Sequence, residues 1–213
     1  AALALGVNFI DTAPTYSNSE ETLGQTLVGV TAPYTISTKL GGRPQPFEPR
    51  NPECLRQSFE NSLKLLKRDS VDMLFIHEPE RPKLYDWWTN FDEATGPVLD
   101  FCQDLKRQGL VKWIGLGGTT VYEMLRLVKT GKFDVMLTAF NFNLLWREAS
   151  NELIPTAHQL GMGIVVGSPL QQGALAKRWD DQINHGAPWL SPPRRRQYQA
   201  LYRYLDELQM PVA

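Results

Sequence analysis

One pattern constrains this chain more than any other. A short run rich in Val, Ile and Phe is followed by a longer amphipathic segment, and the pair recurs along the sequence. The apolar runs predict strands over 8–12, 34–38, 71–76, 113–117, 134–140 and 163–167. Between them, helical spacing predicts helices over 19–28, 52–67, 94–108, 121–130 and 151–160, with a last one over 193–208. Leu55, Phe59, Leu63 and Leu66 form one helical stripe. Ser19 fits an N-cap, with Glu20 and Glu21 in the first turn. Gly109, Gly131 and Gly161 follow three of the helices where a left-handed residue commonly closes the last turn.

Strand and helix in alternation mean a parallel sheet with crossover helices, an α/β fold. The strands are short and nearly all apolar, as strands covered on both faces should be. An open doubly wound sheet and a (β/α)8 barrel both fit. No G-x-G-x-x-G follows the first run, which disfavours a dinucleotide-binding doubly wound sheet. The 213 residues hold about six βα units, whereas a barrel needs eight and about 250 residues. An arc of six parallel strands would leave two open edges. The chain starts without Met on "AALALGVNF", like a helix end entering a strand, and stops at "LQMPVA". The expectation is one (β/α)8 TIM-barrel domain over 1–213, cut short at both ends.

Composition narrows the function. Hydrophobic residues make up 42% and charged residues 21%, with a net charge of −1, so no general attraction to nucleic acid or an anionic membrane is implied. No apolar run is long enough to span a bilayer, and the start lacks the pattern of a signal peptide. Cys54 and Cys102 lie far apart, which points to a reducing, cytoplasmic setting rather than a disulfide framework. No His, Cys or carboxylate spacing suggests a metal site.

Three strands end in an ionisable residue: Asp11 after "NFI", Lys39 after "TIST" and His77 after "MLFI". Tyr16 lies just beyond the first. In a parallel barrel the strand C-termini share one face, so these four should converge. A phenol loses its proton near pH 10, and a neighbouring ammonium should lower that value. A carboxylate beside the lysine would hold the ammonium charged, and a histidine could orient a carbonyl oxygen. Such a set can perform acid–base chemistry on a carbonyl or alcohol. None of these groups delivers a hydride, so oxidation or reduction requires a nicotinamide cofactor. Taken singly, Asp11 could cap a turn, Tyr16 could be a surface residue, Lys39 a solvated strand end and His77 a loop residue. Glu78 could be a second acid, although a solvated loop charge fits it better. The long segment 77–96 carries Trp87 and Trp88, which could wall a substrate pocket or pack the loop onto the barrel.

The stretch "GVNFIDTAPTYSNSEETLG" resembles the aldo-keto reductase signature G-x-N-x-x-D-T-A-x-x-Y-x-x-S-E-x-x-x-G. The likeness continues through "STKLG", "IHEP", "RQGLVKWIGLGG", "FNLLWRE" and "GMGIVVGSPLQQGALA". It implies a (β/α)8 barrel, NAD or NADP bound across the strand C-termini, and a catalytic tetrad of Asp11, Tyr16, Lys39 and His77. It further implies pyrophosphate contacts from the "GSPLQQGAL" turn, with Ser168, Leu170 and Gly173. Three positions depart from well-known members. Gly117 and Gly118 stand where a Ser-Asn pair holds the carboxamide. Gly167 replaces a stacking aromatic. Ala139 replaces a Gln, with Asn141 as a nearby substitute. These departures resemble the branch of sugar and aldose dehydrogenases. The substrate implied is a small carbonyl compound or sugar. The elements that grip the adenosine ribose are expected past Ala213, leaving NAD and NADP both open. A catalytically silent, nucleotide-binding regulatory subunit and a Schiff-base lyase using Lys39 are the competing readings.

Overall fold

The odd and even residues of each strand go to different faces, and that period of two organises the molecule. A computed structural model describes residues 1–188 and 190–212. Six parallel strands pair in chain order: β1 (Phe9–Asp11), β2 (Thr35–Leu40), β3 (Val71–His77), β4 (Val111–Gly118), β5 (Val135–Ala139) and β6 (Gly163–Gly167). They form a curled, partial (β/α)8 barrel. Helices α1 (Ser19–Thr26), α2 (Pro52–Leu66), α3 (Pro97–Arg107), α4 (Val121–Lys129) and α5 (Leu153–Gln159) connect successive strands.

On the helix-covered face, Ile36, Leu40, Leu74, Ile76, Ile114, Leu116 and Met136 pack against Leu55, Phe59, Val98, Leu105, Met124 and Leu127. The opposite, concave face carries Phe75, Val135 and Leu137 as its buried core, flanked by Met73, Ala139 and Val165. The same alternation therefore puts Asp11, Ser37, Lys39, His77, Gly117 and Gly167 on the concave side. Register carries them to one rim: Asp11 pairs with Ser37, Lys39 with Phe75, His77 with Gly117, and Ala139 with Gly167.

Local chemistry fixes the element ends. The Asn51 side chain caps α2 by accepting from the Glu53 and Cys54 amides at 3.0 and 3.4 Å. Gly109 and Gly131 take positive φ (74° and 68°) just past α3 and α4, as the sequence predicts. Helix α3 starts three residues later than its pattern suggests. Ala94 has φ 45° and Thr95 bridges back to Asn90, so the backbone there is already turned away from helix. Ser19 is the first residue of α1 rather than its cap, and its hydroxyl accepts from Thr12 at 2.8 Å. Strands β2 and β3 run further than expected, so Lys39 and His77 are strand residues with fixed direction. A short helix α6 (Asp180–His185) and α7 (Pro192–Glu207) enclose a second core of Leu175, Ile183, Tyr198 and Tyr202. The periodicity missed α6, which is only six residues long.

Candidate active site

Lys39 is almost wholly enclosed, at 2% exposure. An isolated ammonium there would be very costly, so its three protons need acceptors. Its Nζ donates to Asp11 Oδ2 at 2.6 Å and to the Thr12 carbonyl at 2.7 Å. Asp11 is completed by Ser37, whose hydroxyl donates to Oδ1 at 2.6 Å. Burial pulls the Lys39 pKa down, while Asp11 and then Glu20 oppose that shift. The Lys39 Nζ lies 4.7 Å from the centroid of the Tyr16 ring, within cation–π range. The Tyr16 ring meets His77 edge-on, 5.9 Å between centroids. All four predicted residues thus gather at one mouth.

The electrostatics differ from expectation in one respect. The Tyr16 pKa is not lowered; it is pushed up to about 12, by burial first and then by the carboxylates of Asp11 and Glu78. The reason is geometric. The ammonium is committed to Asp11 and the Thr12 carbonyl, and it meets the face of the phenol ring. His77 is pulled down to about 4, by burial and then by Lys39, so it is neutral at physiological pH. Its Nδ1 is buried without a hydrogen-bond partner among the described residues.

Trp87 and Trp88 pack the loop onto the barrel, and Trp88 also borders a cleft with Glu80, Pro82, Asp86 and Phe91 that none of the four rim residues lines. The two tryptophans are 0% and 5% exposed, and each spends its indole N–H on the loop they stabilise. Trp87 donates to the His77 carbonyl at 2.9 Å, and Trp88 to the Pro79 carbonyl at 2.7 Å. Trp87 packs edge-on against Phe47 and tilted against Tyr85. Loop packing thereby holds the backbone of His77 in place.

The far side of the mouth is lined by Gly117, Asn141 and Gly167. A Cβ at Gly117 would make only ordinary contact with Phe75, so its absence leaves open room. Gly118 differs, because a side chain there would collide with Glu80 and Met124. Glu80 is buried and accepts from the Thr119 and Thr120 amides at 2.6 and 2.8 Å. Asn141 donates to the Thr119 carbonyl and Thr138 hydroxyl, leaving its Oδ1 without a protein donor among the described residues. Past β6, Ser168 has φ 50°, and the Ser168 and Leu170 amides find no protein acceptor among the described residues. Gly173 closes that turn by donating to the Leu170 carbonyl at 3.0 Å. Among the described residues, no His, Cys, Asp or Glu group is arranged to hold a metal ion, and no helix is long and apolar enough to cross a membrane.

Sequence reasoning missed Ser37 and Glu20, and favoured a solvated loop charge for Glu78, whose side chain is only 15% exposed. Ser37 was findable, because it shares the concave face with Lys39 two residues on. Glu20 reads as a helix N-terminal acid, yet it is 2% exposed, accepts from Thr38 at 2.6 Å and pairs with Arg43.

The sequence profile described as the Aldo/keto reductase family matches residues 1–210. The chain is 29% identical over 197 residues to L-galactose dehydrogenase of Arabidopsis thaliana, covering 89% of this chain and 59% of that protein. It is 29% identical over 205 residues to D-threo-aldose 1-dehydrogenase of a Pseudomonas species, covering 83% and 60%. It thus spans about three-fifths of the length of these curated relatives. Among solved structures, glycerol dehydrogenase from Gluconobacter oxydans superposes with a TM-score of 0.70 at 21% identity, covering 99% of this chain and 67% of that one. The shared barrel architecture and a profile match over nearly the whole sequence agree: the chain belongs to the aldo/keto reductase family.

Proposed function

We propose that this chain carries the acid–base site of an NAD(P)-dependent oxidoreductase that interconverts a carbonyl compound, of aldose type, with its alcohol. The observation that carries the reading is the gathering of Tyr16, Lys39, Asp11 and His77 at one rim, with the lysine anchored by two bonds under 3 Å. A phenol held protonated suits donation to a carbonyl oxygen as negative charge builds there. Tyr16 gives that proton in reduction and takes it back in oxidation. Lys39 lies beneath the ring and offsets the charge left on the phenolate. Neutral His77 orients the substrate oxygen.

The residues opposite fit a dinucleotide. The free Asn141 Oδ1 and the space over Gly117 suit a carboxamide. The unspent amides of Ser168 and Leu170, in a turn closed by Gly173, suit a pyrophosphate. When bound, the nicotinamide supplies the hydride that no side chain here can provide. The sugar-type substrate is supported by the two relatives named for L-galactose and D-threo-aldoses. A cytoplasmic setting is consistent with two free, buried cysteines.

The test is a steady-state assay of the full-length protein with NADH or NADPH against a panel of aldoses and simple aldehydes. Coenzyme-dependent turnover of at least one is the expected result. No turnover with either coenzyme across the panel would overturn the reading.

A further inference from the structure

Glu78 reads in the sequence as a solvated loop charge, and the structure places it otherwise. Its side chain is only 15% exposed. It follows His77 directly and takes φ 47°, a left-handed conformation that a glutamate adopts only when its surroundings impose it. Its backbone amide donates to the Gly117 carbonyl at 2.7 Å, continuing the β3–β4 ladder one step past His77. The carboxylate is then held from one side: Thr119 donates its hydroxyl to Oε2 at 2.9 Å, and exposed Arg81 reaches the same oxygen at 3.5 Å.

Oε1 has no protein donor among the described residues, and it is not one of the enclosed, unpartnered atoms. It is therefore an open acceptor beside His77. Its charge is felt by Tyr16 and by Tyr85, the tyrosine whose ring lies against Gly41. An anionic oxygen in this position suits a hydroxyl donor, because charged hydrogen bonds are shorter and stronger than neutral ones. A simple aldehyde offers no such donor, whereas a sugar offers one on the carbon next to the reacting centre.

We propose that Glu78 is a specificity-determining residue whose free Oε1 accepts a hydroxyl hydrogen from a polyhydroxylated carbonyl substrate. The inference rests on the oxidoreductase reading and narrows its substrate class.

The test compares glyceraldehyde with propanal, which have equal carbon counts, in the wild type, Glu78→Gln and Thr119→Val. Selectivity, the ratio of the two kcat/KM values, should fall by about tenfold to a hundredfold in Glu78→Gln, since that is what losing one charged hydrogen bond costs. Thr119→Val keeps the carboxylate but frees it to move, so its ratio should fall by less. Calorimetric titration of an aldohexose supplies a readout independent of turnover, and Glu78→Gln should weaken binding in parallel. An active wild type whose selectivity is unchanged in Glu78→Gln overturns this inference and leaves the oxidoreductase reading standing. Aldohexose binding that depends on Glu78 in a protein without turnover does the reverse. Neither binding nor turnover would sink both.

Discussion

Lys39 shows how one residue couples stability to chemistry. Replacing it with Met removes the donor that faces Asp11 and the Thr12 carbonyl, leaving a largely enclosed carboxylate with only Ser37. Breaking a buried pair in this way costs about 3 kcal/mol, far more than a surface pair. Chemical denaturation of Lys39→Met should show a loss of that size, and an unchanged midpoint would contradict the pairing. His77 gives a second, pH-dependent signature. Its folded pKa, about 4, lies below its ordinary value of 6.5. The unfolded chain therefore binds more protons between those values, and the stability from keeping the imidazole neutral is present above about pH 6.5 and lost as pH falls toward 4. The slope is at most about 1.4 kcal/mol per pH unit. Melting temperature measured from pH 7 to pH 4 should fall more steeply for wild type than for His77→Gln; parallel curves would contradict the assignment.

At the level of elements, close approach decides more than propensity. Helix α1 crosses α2 at Gly24, where a Cβ would run into the Leu65 carbonyl and the Leu66 backbone. Ala is the better helix former by about 1 kcal/mol, but overpacking against backbone costs roughly 1–3 kcal/mol because backbone cannot swing aside. Gly24→Ala should thus lower the melting temperature, and a rise would show that the two helices can separate freely. Glu20, on the same helix, ties α1 to β2 through Thr38 and to the following loop through Arg43. The strand and helix order was legible because apolar periodicity reports burial directly. The late start of α3 was not, because Ala94 is a strong helix former placed at positive φ by its turn.

Across the molecule, a parallel sheet gathers onto one rim residues separated by up to 66 positions in sequence, from Asp11 to His77. That convergence was legible, since strand ends in a parallel sheet share a face whatever lies between them. The sign of the Tyr16 shift was not. It depends on how far the ring is enclosed and which carboxylates face it, and no spacing encodes that. Nor was the enclosure of Glu78, which depends on a bond to β4. Strands β1 and β6 each pair with one neighbour, so the ring is open between them among the described residues. The site is built chiefly on β1, β2 and β3, whose pairings are complete on the side that holds Lys39. The central claim is that the phenol of Tyr16 moves the proton. Tyr16→Phe in the full-length protein measures it most directly: turnover should fall by about 10²–10⁴ while coenzyme titration by tryptophan fluorescence stays at the wild-type value. Wild-type turnover in that variant would contradict the account.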